Sequence, residues 1–148
     1  NDQHRPASRL VVKVAESLLP IYLERLGISD WSVKLEMQPI PAEENMVAKV
    51  AWDNVPKHAT ITLDSDSNWV DGFAEMGENS VQHILAHELM HLVMAEARLD
   101  QFLGTMLATK AITDDAHTTL SEILDWAVDE ISMRLVRSGT LPMSVEGM

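Results

Sequence analysis

The sequence predicts a single α+β domain: an N-terminal helix, a small three-stranded sheet expected to be mostly antiparallel, and two further principal helices. Three observations carry that expectation. Apolar residues recur at helical spacing from Ala7 to Leu26, alternate with polar ones through three short segments, then return to helical spacing from Asn79 onward. No repeat, linker or low-complexity tract divides residues 1–148. That length suits one domain of ~100–200 residues.

The first helix places Leu10, Val11, Val14, Leu18 and Ile21 on one stripe, and Gly27 suits a left-handed C-cap. Pro20 predicts a kink or a split, and Asn1 to Pro6 reads as a loose end. Trp31, Val33, Leu35 and Met37 then alternate with Ser32, Lys34 and Glu36, the period of a strand. Pro39, Pro41, Glu43 and Glu44 break the pattern. Met46 to Trp52 predicts a second strand, Asp53 to Lys57 a turn around Pro56, and His58 to Leu63 a third strand, the two joined as a hairpin. This third strand is expected at the sheet edge.

The acidic stretch 64–77 matches a calcium loop at Asp64, Asp66, Asn68 and Glu75, which fall at its first, third, fifth and twelfth positions. Trp69 stands where the sharp turn of such a loop needs glycine, so a solvated connection is expected instead. Asn79 or Ser80 can cap the next helix, with Gln82 reaching back. That helix, Val81 to Ala97, is apolar almost all round and is therefore expected to be buried. A short helix around Phe102 to Lys110, a flexible stretch through Asp114 and Asp115, and a last helix from Thr118 to Arg137 complete the chain. The last helix stops near Gly139 and Pro142.

Charge and composition narrow the function. There is no cysteine, which removes disulfides, thiolate metal sites and cysteine nucleophiles and fits a cytoplasmic protein. No apolar run approaches the ~18–20 residues of a membrane span. A net charge of −12 argues against a generic nucleic-acid surface. The imbalance lies in residues 64–148, with 15 acids against 4 bases. A polar site built there sits in a field favouring a metal ion or a basic substrate segment.

The buried helix contains His87-Glu88-Leu89-Met90-His91, an H-E-x-x-H. Residues four apart share a helix face, so both imidazoles can reach one ion, and ~2.0–2.1 Å bonds to zinc fit that reach. Glu88 points ~100° away, close enough to touch a metal-bound water without taking a coordination position. Burying two histidines and a glutamate together is costly without a shared partner. His83 lies on the same stripe, but ~12 Å along the axis from His91 at 1.5 Å per residue. It reads as a supporting histidine rather than a ligand of the same ion.

A catalytic zinc usually has three protein ligands and a water. Met94 and Ala97 occupy the places where an extended zincin motif carries its glycine and third histidine, so the third ligand must come from elsewhere. In the last helix Glu122, Asp125 and Asp129 share one face, opposite the stripe Leu120, Leu124, Ala127, Val128, Ile131 and Leu135. Glu122 is the first choice, with Asp125, Asp129 and His117 as alternatives.

The run ILAHELMHLVM (84–94), followed by SEILDWAVDEI (121–131), resembles the active-site and glutamate helices of the gluzincin zinc peptidases. The element order is similar to that of the minimal gluzincins, small zincin-like proteins of bacteria and phages that include repressor-cleaving enzymes. The resemblance implies a zinc metalloendopeptidase acting on a protein or peptide, with zinc on His87, His91 and Glu122 and with Glu88 as general base. It further implies an Asp steadying a zinc-bound His, a role open to Asp125, and an oxyanion-stabilising Tyr or His. For the latter the one tyrosine is Tyr22, on the first helix, and His117 and His83 are the histidine candidates. The rival expectation is a metal-binding or interaction module of phage or mobile-element origin without turnover. A di-iron bundle would need a second E-x-x-H, which the chain lacks.

Overall fold

The computed structural model describes residues 4–145. Helix α1 (His4–Arg25) opens the chain and buries Val11, Ala15, Leu18 and Tyr22 along one face. It begins earlier than the sequence suggests: residues 4–6 are helical, Pro6 being tolerated in a first turn whose N–H groups have no intrahelical partner. Of the expected loose end, residues 1–3 lie outside the described residues. The helix runs through Pro20 without a break and ends at Gly27, whose φ of +73° is the left-handed conformation glycine adopts freely.

Three strands form one sheet: β1 (Ser32–Gln38), β2 (Ala48–Asn54) and β3 (Lys57–Asp64), in the order β1-β3-β2. β2 and β3 are the expected hairpin, antiparallel with Val50 opposite Ile61. β1 pairs parallel with β3, with Leu35 opposite Ile61. The sheet is therefore mixed, not mostly antiparallel, and β3 is central rather than an edge. The reason is the connection 39–47, which carries the chain past the neighbouring position and lets β3 fold back into it. Both ladders of β3 are occupied, and β1 and β2 form the edges.

The connection that follows is more ordered than a solvated loop. Asp64 is buried and accepts hydrogen bonds from the Ile40 and Asp66 amides and the Ser67 hydroxyl. Burial works against its charge, but these three donors outweigh it and hold the carboxyl below its ordinary range. Two short strands, β4 (Trp69–Val70) and β5 (Asn79–Ser80), pair in parallel and deliver the chain to α2 (Val81–Glu96).

α2 is the centre of the molecule, as its all-round apolar surface requires. It packs against α1, α4 and β2, and Val81, Leu85, Ala86, Leu89 and Leu92 join Leu18 and Tyr22 of α1 and Ile61 and Leu63 of β3 in one core. Ser80 caps it by accepting from the His83 amide. Gln82 reaches back to the cap residue, its Oε1 accepting from the Ser80 hydroxyl at 3.4 Å. Fully buried, it accepts from the Gly72 amide and donates to Asp71 and to the Met143 carbonyl, tying loop and C-terminal segment to the helix.

α3 (Leu99–Ala108) follows α2 after a left-handed residue, Arg98. α4 (Asp114–Arg137) begins four residues before the expected start. Thr113 caps it by accepting from the Ala116 amide, and Asp114 and Asp115, expected to be flexible, form its acidic first turn. Val128, Ser132 and Val136 are its buried residues. α4 is thus turned so that Leu120 and Ile131, two of the six residues of its apolar stripe, face outward. Among the described residues no helix is long and apolar enough to cross a membrane.

Candidate metal centre

The helical period of α2 brings His83, His87 and His91 into a row. The His87 and His91 rings lie 5.1 Å apart between centroids, and those of His83 and His87 lie 6.5 Å apart, edge to face. His87, Glu88 and His91 line a cleft of ≈ 490 Å³ together with Asp125 of α4 and Met46, Ala48, Lys49, Val50 and Trp52 on and beside β2. The motif helix forms the floor, edge strand β2 one wall, and α4 supplies a carboxylate.

Glu88 is the buried charge of the site. Only 6% of it is exposed, and burial alone pushes its carboxyl up to about 7. A carboxyl with that value exchanges protons near neutrality, the property a general base needs.

The carboxylates of α4 divide by their angle around the helix. Asp125 lines the cleft, whereas Glu122 is exposed and does not. Three residues are 300° of helical rotation, which brings Asp125 closer than Glu122 to the inner face marked by Val128, Ser132 and Val136. Asp129, one turn beyond Asp125, places its Oδ1 3.0 Å from Nδ1 of His87 in a hydrogen bond. The same oxygen lies 3.1 Å from Nε2 of His83, a nitrogen that is buried and lacks hydrogen-bond geometry to any partner. Among the described residues, His83, His87 and Asp129 form a group whose ligand atoms all lie within 4.8 Å of one another.

The residues considered for the oxyanion role lie elsewhere. Tyr22 is fully buried and donates to the Pro142 carbonyl at 2.7 Å; burial, aided by the charge of Asp71, raises its hydroxyl well above the ordinary value. His117 sits in the first turn of α4 and does not line the cleft. His83 opens instead onto a smaller hollow beside Phe73 and Met133. The cleft residues that sequence reasoning missed are Lys49 and Trp52. The alternation of β2 put Ala48, Val50 and Trp52 on one face, but only the strand order shows that this face meets the motif helix.

The His83, His87 and Asp129 group could hold a metal ion, and its donor types are ones zinc takes. Two imidazoles at one-turn spacing and a carboxylate are the usual ligands, and an imidazole whose other nitrogen is already held by a carboxylate matches the outer support such ligands receive. The chain matches no protein-family model, no curated protein and no solved structure.

Proposed function

We propose that this chain is a zinc-dependent metallopeptidase whose metal is held by His87, His91 and Asp125. The observation that carries the reading is that both motif histidines, Asp125 and a buried glutamate line one cleft bordered by an edge strand. Asp125 takes the place expected for Glu122, because it lines the cleft and Glu122 does not. Asp129 takes the steadying role first considered for Asp125, through its hydrogen bond to His87.

When bound, zinc supplies Lewis-acid chemistry, lowering the pKa of a water and polarising the scissile carbonyl. Asp129 fixes the ring orientation of His87 and holds its proton on Nδ1, leaving Nε2 as the ligand atom. Glu88 accepts the proton of the attacking water and passes it to the leaving amine, a cycle suited to its value of about 7. The unpaired edge of β2 offers main-chain hydrogen bonds to an extended peptide lying across the cleft, with Trp52 and Val50 beside it. The third strand, expected at the edge, is central, so the edge beside the cleft is that of β2.

The test pairs metal content with turnover. Glu88→Gln should retain near-normal zinc but lose roughly 10²–10⁴ in peptide cleavage, screened on a library that includes basic peptides. Equal cleavage by variant and wild type would refute the assignment. A second reading has a specific observation in its favour: His83, His87 and Asp129 could hold an ion without Glu88, giving a binding module with no turnover. The two separate cleanly. The peptidase site loses zinc in His91→Ala and keeps it in His83→Ala, and the binding module does the reverse.

A further inference from the structure

A cavity of ≈ 730 Å³ adjoins the metal cleft and takes no part in holding the ion. Pro39, Ile40, Pro41, Met46, Asp64 and Asp66 are among its walls, and Met46 also lines the cleft, which puts the two side by side. Its place follows from the sheet. β3 ends at Asp64, whose amide donates to the Val47 carbonyl at 2.8 Å and whose Oδ1 accepts from the Ile40 amide at 3.0 Å. The cavity therefore sits off the end at which β2 begins.

Its chemistry is mixed. Ile40, Met46 and the two prolines give apolar walls, and two carboxylates of different standing give charge. Asp64 is buried, with its oxygens taken by the Ile40 and Asp66 amides and the Ser67 hydroxyl, so it contributes only field. Asp66 is exposed, and among the described residues no hydrogen bond or ion pair engages its carboxylate. Lys49, the one lysine lining the cleft, is held 3.5 Å from Glu44 and leaves Asp66 unmatched. Apolar walls beside a free carboxylate suit a side chain with an aliphatic stem and a cationic head. We propose that this cavity is a substrate subsite that takes a lysine or arginine side chain of the bound peptide, with Asp66 reading its charge. The inference rests on the peptidase reading for the course of that peptide. An extended chain along the free edge of β2, at ~3.3 Å per residue, passes from Val50 to Met46 in about four residues. A peptide seated in the cleft beside Val50 thus carries its basic side chain about four residues away.

The test separates charge recognition from turnover. Zinc-loaded Glu88→Gln protein is mixed with an equimolar library of short peptides at ~0.15 M salt, and the retained peptides are identified by mass spectrometry. Peptides carrying one Lys or Arg should be enriched about fivefold over the same peptides carrying Gln, the upper range for an exposed ion pair. Asp66→Asn should abolish that enrichment, and Asp66→Lys should turn it toward peptides carrying Asp or Glu. Non-specific attraction to a chain of net charge −12 would survive Asp66→Asn, so a preference that persists there overturns the proposal. Retention without a basic preference, an uninverted preference in Asp66→Lys, or retention of no peptide at all would overturn it too. Cleavage of the same library by the wild type judges the peptidase reading separately: enrichment without cleavage would defeat that reading and leave Asp66 as the anchor of a bound peptide.

Discussion

The three carboxylates of α4 give the sharpest test of the site, because each should affect zinc by a different amount. Asp129→Asn removes the charge from the acceptor that lies 3.0 Å from Nδ1 of His87, leaving a weaker amide oxygen. Outer partners of metal-bound histidines contribute about 10–100-fold in affinity, or ~1.4–2.7 kcal/mol, so zinc should weaken by that range. Asp125→Asn leaves a proposed ligand only a neutral, weakly coordinating amide oxygen and should exceed the hundredfold that its support can cost. Glu122→Gln changes an exposed side chain outside the cleft and should stay within about twofold. Competition against a chromophoric chelator measures all three on one scale. Thermal unfolding gives an independent check, since a ligand that binds only the folded state raises its stability by RT ln(1 + [L]/Kd). A Glu122→Gln loss larger than that of Asp125→Asn would show that α4 is rotated from this arrangement. A silent Asp129→Asn would mean that its contact with His87 does not support the metal.

Other expectations concern the scaffold. Asp64→Asn should cost about 1–3 kcal/mol at neutral pH, because charge-assisted bonds from Ile40, Asp66 and Ser67 are weakened. Its folded carboxyl is held below the ordinary value, so that stabilisation is complete above the unfolded pKa and is lost as pH falls through the folded one. Urea titrations of wild type and variant should therefore converge in acid, and a pH-independent gap would contradict the assignment. Gln82→Leu strips partners from the Gly72 amide and the Met143 carbonyl and should cost about 2 kcal/mol or more, with faster hydrogen exchange at Gly72. Leu89→Ala opens a cavity at a fully buried position of α2 and should cost ~2–5 kcal/mol in urea unfolding.

Helix α2 carries a row of like groups into different surroundings. His83, His87 and His91 are spaced one turn apart, yet α4 meets the row at an angle that brings Asp129 to the first two and Asp125 to the cleft of the last two. His83 thereby lies beside Asp129 and outside the cleft. Its buried Nε2, 3.1 Å from Asp129, flanks the oxygen that holds His87.

What the amino-acid sequence determined by itself is local. Period and capping chemistry predict α1 and α2, their alternation predicts β1, β2 and β3, and the spacing of His87, Glu88 and His91 predicts a shared face and an off-axis carboxylate. These follow from the 3.6- and 2-residue repeats of the backbone, which act over a few residues. The tertiary structure decided what depends on partners distant in the chain. β3 became central because the 39–47 connection left the place beside β1 for it to fill, and nothing within His58 to Leu63 signals that. Which of Glu122, Asp125 and Asp129 faces the cleft was open for the same reason. All three share one side of α4, and neighbours on that side differ by 40–60° of rotation, a distinction set by how α4 packs on α2 and not by its own periodicity. That packing turned Val128, Ser132 and Val136 inward and left Leu120, Ile123, Trp126 and Ile131 outside.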